Sequence, residues 1–113
     1  MCFFTSKSAR VKVAKEDIVC YKCMLKGDLS PVYPFQYRKG KITPIVALTK
    51  VWRQDFLDPF WMIGYGYHSY KTRRIAEHSG FSFHNIREFI IPKGTSYYSN
   101  RTQYVSERII MIN

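Results

Sequence analysis

The closing stretch of the chain, residues 89–113, constrains the fold more than any other part of the sequence. It contains two short β-branched runs, FII at 89–91 and IIMI at 109–112. Both runs are too brief for helices and are typical of buried strands. Between them, a Pro-Lys-Gly turn at 92–94 is followed by a polar segment rich in tyrosine. The pattern therefore predicts a sheet to which the upstream chain contributes further strands.

The composition points to the same class of fold. Aromatic residues make up 17% of the 113-residue chain, with nine Tyr, eight Phe and two Trp, which favours strands over a helical bundle. A chain of this length forms a single domain, residues 1–113, around one core. We therefore predict a β-rich α+β domain with a mostly antiparallel sheet of about five to seven strands and one or two short helices.

The first half of the chain alternates between predicted strands and turns. Residues 1–15 are basic and predict a loop or flexible arm, ordered only if Phe3 and Phe4 dock on the core. Residues 18–25 are apolar on both faces and predict a central strand. Residues 32–38 alternate and contain a proline, which indicates a short edge strand. Segment 42–52 is compatible with a strand or a helical turn, and residues 53–59 predict a loop.

The second half contains one further strand and the only predicted helix. Residues 60–70 predict a strand, in which Gly64 and Gly66 mark a bulge or a close approach by backbone or ligand. A helix is predicted over 70–79, with Ser69 as its cap, Gly80 as its stop, and Ile75 and Ala76 facing the core.

The charge balance predicts an anionic partner. Eighteen Lys and Arg against eight Asp and Glu give a formal net charge of +10, which concentrates anions such as nucleotides and nucleic acid near the protein. The alternative is that the scattered positive charge only keeps a tyrosine-rich protein in solution.

Cysteine content and the N-terminus predict a cytoplasmic protein that does not enter a membrane. The chain has three cysteines and no signal peptide, which fits a reducing compartment. Cys20 and Cys23 have the spacing of half a zinc site. A strand would place them on opposite faces, and no second such pair exists, so we expect buried thiols and no metal or other cofactor.

Two segments are the candidate walls of a binding site. Histidine, hydroxyls and cations can bind phosphate oxygens, and tyrosine rings can stack on a base. The first wall consists of Tyr65, Tyr67, His68, Ser69, Lys71, Arg73 and Arg74, with the predicted helix N-terminus adding positive potential. The second wall consists of Lys93, Thr95, Tyr97, Tyr98 and Arg101. The alternative for both is ordinary sheet packing. No catalytic residue is predicted, because no phosphate-binding glycine loop or hydrolase-like carboxylate pair occurs.

Several segments carry a resemblance to known proteins: MCFF, DIVCYKCMLKG, PFQYRKGK, GYHSY, FIIPKGTSYY and YVSERIIMI. With these segments the chain resembles a set of short proteins from gut bacteria of the Bacteroides type, their phages and their mobile elements. That resemblance implies a small cytosolic accessory protein encoded by a phage.

A weaker likeness is to the ADP-ribosyltransferases. It implies that Glu107 is the catalytic glutamate and that Ser69 with Thr72 stands for the family's Ser-Thr-Ser strand. The chain departs from the family at Tyr21, where a first-strand Arg or His is usual, and it lacks the second acid of the Glu-x-Glu element.

These observations lead to one main hypothesis and two rivals. The main hypothesis is a non-catalytic protein that captures a nucleotide signal or nucleic acid and acts in phage counter-defence. The rivals are a minimal or degenerate ADP-ribosyltransferase and a protein–protein inhibitor of a host defence protein that uses exposed tyrosines as anchors. Homo-oligomer formation is left open.

Overall fold

The computed structural model describes residues 3–6, 8–24, 36–54, 60–79 and 85–113. These residues form ten strands and one short helix. In chain order they are β1 (Phe3–Thr5), β2 (Lys12–Val13), β3 (Ile18–Met24), β4 (Lys50–Arg53), β5 (Phe60–Ile63), β6 (Tyr67–Tyr70), α1 (Arg73–Glu77), β7 (Asn85–Ile91), β8 (Ser96–Ser99), β9 (Gln103–Ser106) and β10 (Ile110–Met111).

Seven strands form an antiparallel sheet in the order β10-β7-β3-β6-β9-β8-β2, which we call the larger sheet. The two closing apolar runs pair as predicted, with Ile110 opposite Ile90 and Met111 opposite Phe89. The predicted strand at 18–25 is β3, an interior strand of this sheet, with Leu25 outside the described residues. The β-rich α+β class and the antiparallel sheet are therefore confirmed.

A second, three-stranded sheet in the order β1-β5-β4 corrects the sequence interpretation of residues 60–70. We predicted one strand there, but the chain forms β5 in the smaller sheet and β6 in the larger one. The break falls at Gly66, which has a φ of 137°. A Cβ at Gly66 would lie 2.5 Å from Val105 Cγ2 and 2.7 Å from Leu48 Cδ2, so the close approach at this glycine comes from side chains, whereas the sequence predicted a bulge or an approach by backbone or ligand. Alternation of apolar residues cannot show that a chain changes sheets.

The first residues of the chain belong to both sheets. Phe3, the first of the two phenylalanines whose docking we predicted, is 1% exposed and lies opposite Ile63 of β5, so it packs in the core. Residues 12–13 form β2 at the edge of the larger sheet, where the sequence predicts a loop or arm. Strand pairing therefore orders both ends of this basic segment.

The helix is shorter than predicted and has a different cap. It spans Arg73–Glu77, and the Thr72 side chain accepts a hydrogen bond of 3.1 Å from Ile75 N. Ser69, the predicted cap, is fully buried inside β6, because pairing with β9 extends as far as Tyr70. Ala76 is buried against the sheet as predicted, and Ile75 is half-buried.

The two faces of the larger sheet carry separate clusters. One face holds Cys20, Met24, Phe89 and Ile91 around the buried ring of Tyr37. The opposite face is covered at one end by α1, which packs on Cys23 and Tyr70, and at the other by the smaller sheet.

The remaining predictions concern the connecting segments. Within the predicted edge strand at 32–38, the described residues 36–38 form no extended strand, and 32–35 lie outside the description. Segment 42–52, left open by the sequence, is irregular until it enters β4 at Lys50. Residues 55–59 and 80–84 also lie outside the description. Among the described residues, no helix has the length and apolar character that crossing a membrane requires.

Candidate functional site

The middle of the first predicted wall lies in the core. His68 is 8% exposed and Ser69 is fully buried. Burial, together with the nearby positive charge of Lys22, lowers the pKa of His68 to about 4, so its imidazole is neutral at neutral pH. His68 therefore supplies no positive charge to a ligand.

A buried lysine that the sequence reasoning missed lies beside these residues. Lys22 Nζ donates a hydrogen bond to the carbonyl of His68 and lies 5.5 Å from the centroid of the Tyr37 ring. Burial lowers the pKa of Lys22 to about 8 and raises that of the neighbouring Cys20 thiol to about 11. The sequence did contain a signal for this burial. Side chains alternate along β3, so Lys22 lies on the same face as Cys20 and Met24. The cluster is closed from solvent and is part of the packing.

The second predicted wall does not form one surface. Thr95 is fully buried, and its Oγ1 accepts a hydrogen bond of 2.8 Å from Arg108 Nε. Tyr97 packs edge-on against Tyr104 on one face of the sheet, at a centroid distance of 5.8 Å. Tyr98 points to the other face and packs against the cluster of the smaller sheet.

The two cations of the second wall lie apart. Lys93 is exposed in the turn before Thr95, and its backbone N–H donates to Asp17 Oδ1. Arg101 is exposed in the turn that joins β8 to β9. Because Thr95 and Arg101 lie beyond opposite ends of β8, Lys93 and Arg101 cannot act as one wall.

Several tyrosine rings already have a cation of this protein over one face. The pairs are Lys22 with Tyr37, Lys50 with Tyr98, Lys71 with Tyr104 and Arg73 with Tyr21, at 5.2–5.9 Å from cation to ring centroid. Such contacts contribute about 0.5–1 kcal/mol each at exposed sites. Part of the basic and aromatic content that predicted ligand stacking thus stabilises the fold.

Two clefts are found among the described residues: one of about 530 Å³ along residues 36–38 and 41–44, and one between α1 and the turn end of the β8–β9 hairpin, which we call the α1 cleft. Its volume is about 450 Å³. The floor comes from Tyr70 and Gln103, which lie directly opposite each other in neighbouring strands. The walls come from Arg74, Ile75, His78, Ser79 and Thr102.

Local hydrogen bonds hold the two walls of the α1 cleft in place. Asn100 Oδ1 accepts from Thr102 N at 3.0 Å and from Gln103 N at 2.8 Å, which fixes the hairpin turn. Lys71 N donates to Thr102 O at 2.9 Å and ties that turn to the end of β6. The cap at Thr72 then sets the start of α1. A short helix and a tight turn thus form a rigid cleft.

The chemistry of the α1 cleft combines positive charge with an unsatisfied acceptor. Gln103 Oε1 is buried and accepts no hydrogen bond from any described residue. Arg74 is exposed at the rim, and Arg101 is exposed next to the lining residue Thr102. Burial raises the pKa of Tyr70, whose hydroxyl lies beside Ser79. No carboxylate is among the described residues that line the cleft.

The α1 cleft brings together only part of the predicted site. Arg74 lines it and Arg101 adjoins it, whereas Lys71 and Arg73 turn to Tyr104 and Tyr21. The helix has only five residues, too few for a strong dipole at its N-terminus. 

The two tyrosines that open the first wall lie away from the cleft. Tyr65 is 64% exposed beyond the opposite end of β6, and the Tyr67 hydroxyl donates to Pro44 O.

Gln103 was missed because a neutral amide in a strand carries no sequence signal.

The residues implied by the likeness to ADP-ribosyltransferases are not brought together. Glu107 Oε1 accepts a hydrogen bond of 3.0 Å from Ser96 N, next to the Ser106 end of β9. Ser106 lies opposite Tyr67, whereas Thr72 follows the other end of β6 and caps α1. Ser69 is buried between these two ends.

The described residues contain no group of three or more His, Cys, Asp or Glu placed to hold a metal ion. Cys20 and Cys23 are free, buried thiols on opposite faces of β3. Comparisons with protein-family models, with curated proteins and with solved structures find no match for this chain. The choice of the α1 cleft as candidate site therefore rests on its geometry and chemistry.

Proposed function

We propose that the protein is a non-catalytic binding protein that captures a small anionic ligand of nucleotide type in the α1 cleft. The observation that carries this proposal is that two side chains lie in the same cleft. Gln103 Oε1 is a buried acceptor with no described partner, and Arg74 lies at the rim. An unsatisfied buried acceptor costs about 1–3 kcal/mol, which a ligand donor would recover.

The size and lining of the α1 cleft suit a nucleotide. Its volume of about 450 Å³ falls within the range of small-molecule sites. A base offers N–H donors to Gln103 and a flat apolar surface to Ile75 and the ring of Tyr70. A phosphate group offers the geometry that the guanidinium of Arg74 binds with two hydrogen bonds. Arg101 adds positive charge on the hairpin side.

The net charge of +10 supports this proposal through long-range attraction, because it raises the local concentration of phosphate-bearing ligands. Capture without catalysis would serve the counter-defence role of the main hypothesis, in which a phage protein sequesters a host messenger. Nucleic acid is the wider alternative within the same chemistry. It differs in its salt dependence, because tracking a polyanion releases many counterions.

The test begins with a thermal-shift screen at low salt against mononucleotides, cyclic nucleotides, oligonucleotides and NAD-derived compounds. A ligand that binds the native state raises the melting temperature. The best compound is then titrated by calorimetry against Arg74→Gln, which we expect to weaken binding by at least about tenfold, because it removes the two charge-assisted hydrogen bonds of the guanidinium. Arg38→Gln is the matched control, because Arg38 is exposed and lies outside the lining of the α1 cleft.

The outcomes separate cleanly. A change below about twofold in Arg38→Gln with the larger loss in Arg74→Gln supports the cleft. Equal losses in both variants indicate diffuse attraction, and failure of every compound to raise the melting temperature contradicts the proposal. If oligonucleotides bind best and their affinity falls steeply as the salt concentration rises, the ligand is nucleic acid and not a nucleotide.

A further inference from the structure

The two edges of the larger sheet are treated differently. At the β10 edge, residues 39–43 run alongside the strand: Lys39 bridges Met111, Ile42 bridges Ile110, and Gly40 N donates to Met111 O at 2.7 Å. At the other edge, β2 pairs only with β8 among the described strands. One edge is therefore covered by the chain itself, and the other is left open by the described residues.

The open edge presents two apolar side chains and a cation to solvent. Val11 is 48% exposed and Val13 is 57% exposed, and Lys12 between them is also exposed. Lys12 lies opposite Tyr97 and Val13 opposite Ser96. β2 comprises only Lys12 and Val13, whose side chains point to opposite faces because side chains alternate along a strand, and the exposed Val11 directly precedes it.

We propose that the β2 edge binds an extended acidic peptide segment, which adds to the larger sheet as an eighth strand. In this mode, main-chain hydrogen bonds to the free edge provide affinity and alternate side chains provide specificity. Residues directly opposite each other in neighbouring strands point to the same face. The bound segment therefore alternates carboxylates, beside Lys12, with apolar side chains, beside Val11 and Val13.

Charge decides between an acidic segment and a second copy of this chain. Arg10, Lys12 and Lys15 are all exposed along the edge, and the protein carries a net charge of +10. Pairing of two such edges would place like charges together, which is the usual means by which edge lysines prevent self-association. The same charges attract carboxylates. The surface shares no lining residue with the α1 cleft, so this proposal is independent of the proposed function.

The test uses the full chain and a fluorescein-labelled peptide of eight residues that alternates Asp and Val. Anisotropy titration measures affinity, and amide chemical shifts in ¹⁵N spectra locate the contact. We expect saturable binding with shifts at residues 11–13. Lys12→Glu should weaken binding about tenfold. Lys41→Glu is the matched control, because Lys41 is equally exposed on the segment that covers the other edge.

A second peptide separates strand addition from charge attraction. Methylation of alternate backbone nitrogens keeps every carboxylate and removes the main-chain donors, and we expect at least about a tenfold loss of affinity. This measurement uses the unmodified protein, so it holds even if a variant unfolds. Equal binding of the methylated peptide, or equal effects of Lys12→Glu and Lys41→Glu, would overturn the proposal. So would a dimer, detected by sedimentation, that pairs through β2 and resists the peptide.

Discussion

The two ends of the β8–β9 hairpin carry similar residue types but differ in how their polar groups are satisfied. At the open end, Glu107 accepts from Ser96 N, and Arg108 donates to Thr95 Oγ1. At the turn end, the buried Gln103 Oε1 has no partner among the described residues, and Arg101 is exposed. At the open end of the hairpin, hydrogen bonds within the protein occupy these polar groups. At the turn end, Gln103 Oε1 can still accept a hydrogen bond from a ligand.

The difference shows how residue type misleads when it is read alone. Glu107, Thr95 and Arg108 are the kinds of residue found in active sites, yet internal hydrogen bonds occupy them. Gln103 is chemically modest, yet its buried Oε1 has no hydrogen-bond partner among the described residues, as is also true of His68 Nδ1 and Ser69 Oγ, and of these three residues only Gln103 lines the α1 cleft. Unfilled hydrogen-bonding capacity at an open cleft therefore distinguishes the candidate site better than residue charge does.

The largest expected effect is at the open end, where Gly66 is needed for close packing. Gly66→Ala should lower the free energy of unfolding by about 4 kcal/mol, since a Cβ adds backbone strain and overpacking. That Cβ would lie 2.5 Å from Val105 Cγ2 and 2.7 Å from Leu48 Cδ2, at a φ of 137°. Urea denaturation measures the change. Gly40→Ala is the control, with a φ of 76° and no atom within 4 Å, and should cost about 1–2 kcal/mol. Equal losses would show that packing at the open end is loose.

The second effect tests whether His68, midway between the two ends, is structural. Its folded pKa of about 4 lies below its ordinary value of 6.5, so between these values the unfolded chain binds a proton that the folded chain does not. The contribution of His68 is therefore present above pH 6.5 and is lost as the pH falls through about 4. The loss should reach about 3 kcal/mol. 

The measurement is urea denaturation at pH 6.5, 5 and 4, with the variant compared with the parent chain. His68→Gln should flatten the pH dependence. A parent chain and a His68→Gln variant with the same slope would show that folding does not lower the pKa of His68.

Much of the fold could be predicted because it follows from local patterns. The closing strands and the interior position of β3 follow from apolar runs and a Pro-Lys-Gly turn. The split of residues 60–70 between two sheets does not follow, because it depends on the contact of Gly66 with Val105. The predicted start of α1 was wrong for a similar reason, since pairing of Tyr70 with Gln103 takes precedence over capping by Ser69.

Less of the candidate site could be predicted, because exposure is decided by tertiary packing. The sequence identified Arg74 and Arg101, which the structure leaves exposed around the α1 cleft. It also grouped Tyr97 with Tyr98, although neighbouring residues of a strand point to opposite faces. Nothing in the sequence showed that His68 would be buried or that the amide of Gln103 would lack a partner.

The smallest expected effects give the sharpest comparison, because the same kind of substitution should have opposite signs at the two ends of the hairpin. Glu107→Met removes an acceptor that holds Ser96 N and should lower the free energy of unfolding by about 2 kcal/mol. Gln103→Met keeps a similar shape, removes the unsatisfied acceptor, and should raise it by about 1 kcal/mol. Chemical denaturation at neutral pH measures both changes.

The affinities of the same two variants for the nucleotide identified in the screen should not follow their stabilities. Gln103→Met, although more stable, should lose affinity, because the base N–H then meets a thioether in place of an amide oxygen. Glu107→Met, although less stable, should bind as the parent chain does while it remains folded, because Glu107 lies at the far end of the hairpin. A stability gain paired with a binding loss is the pattern expected of a group kept for function. If Gln103→Met instead destabilises the fold and leaves binding intact, Gln103 is a structural residue and the two ends of the hairpin are equivalent.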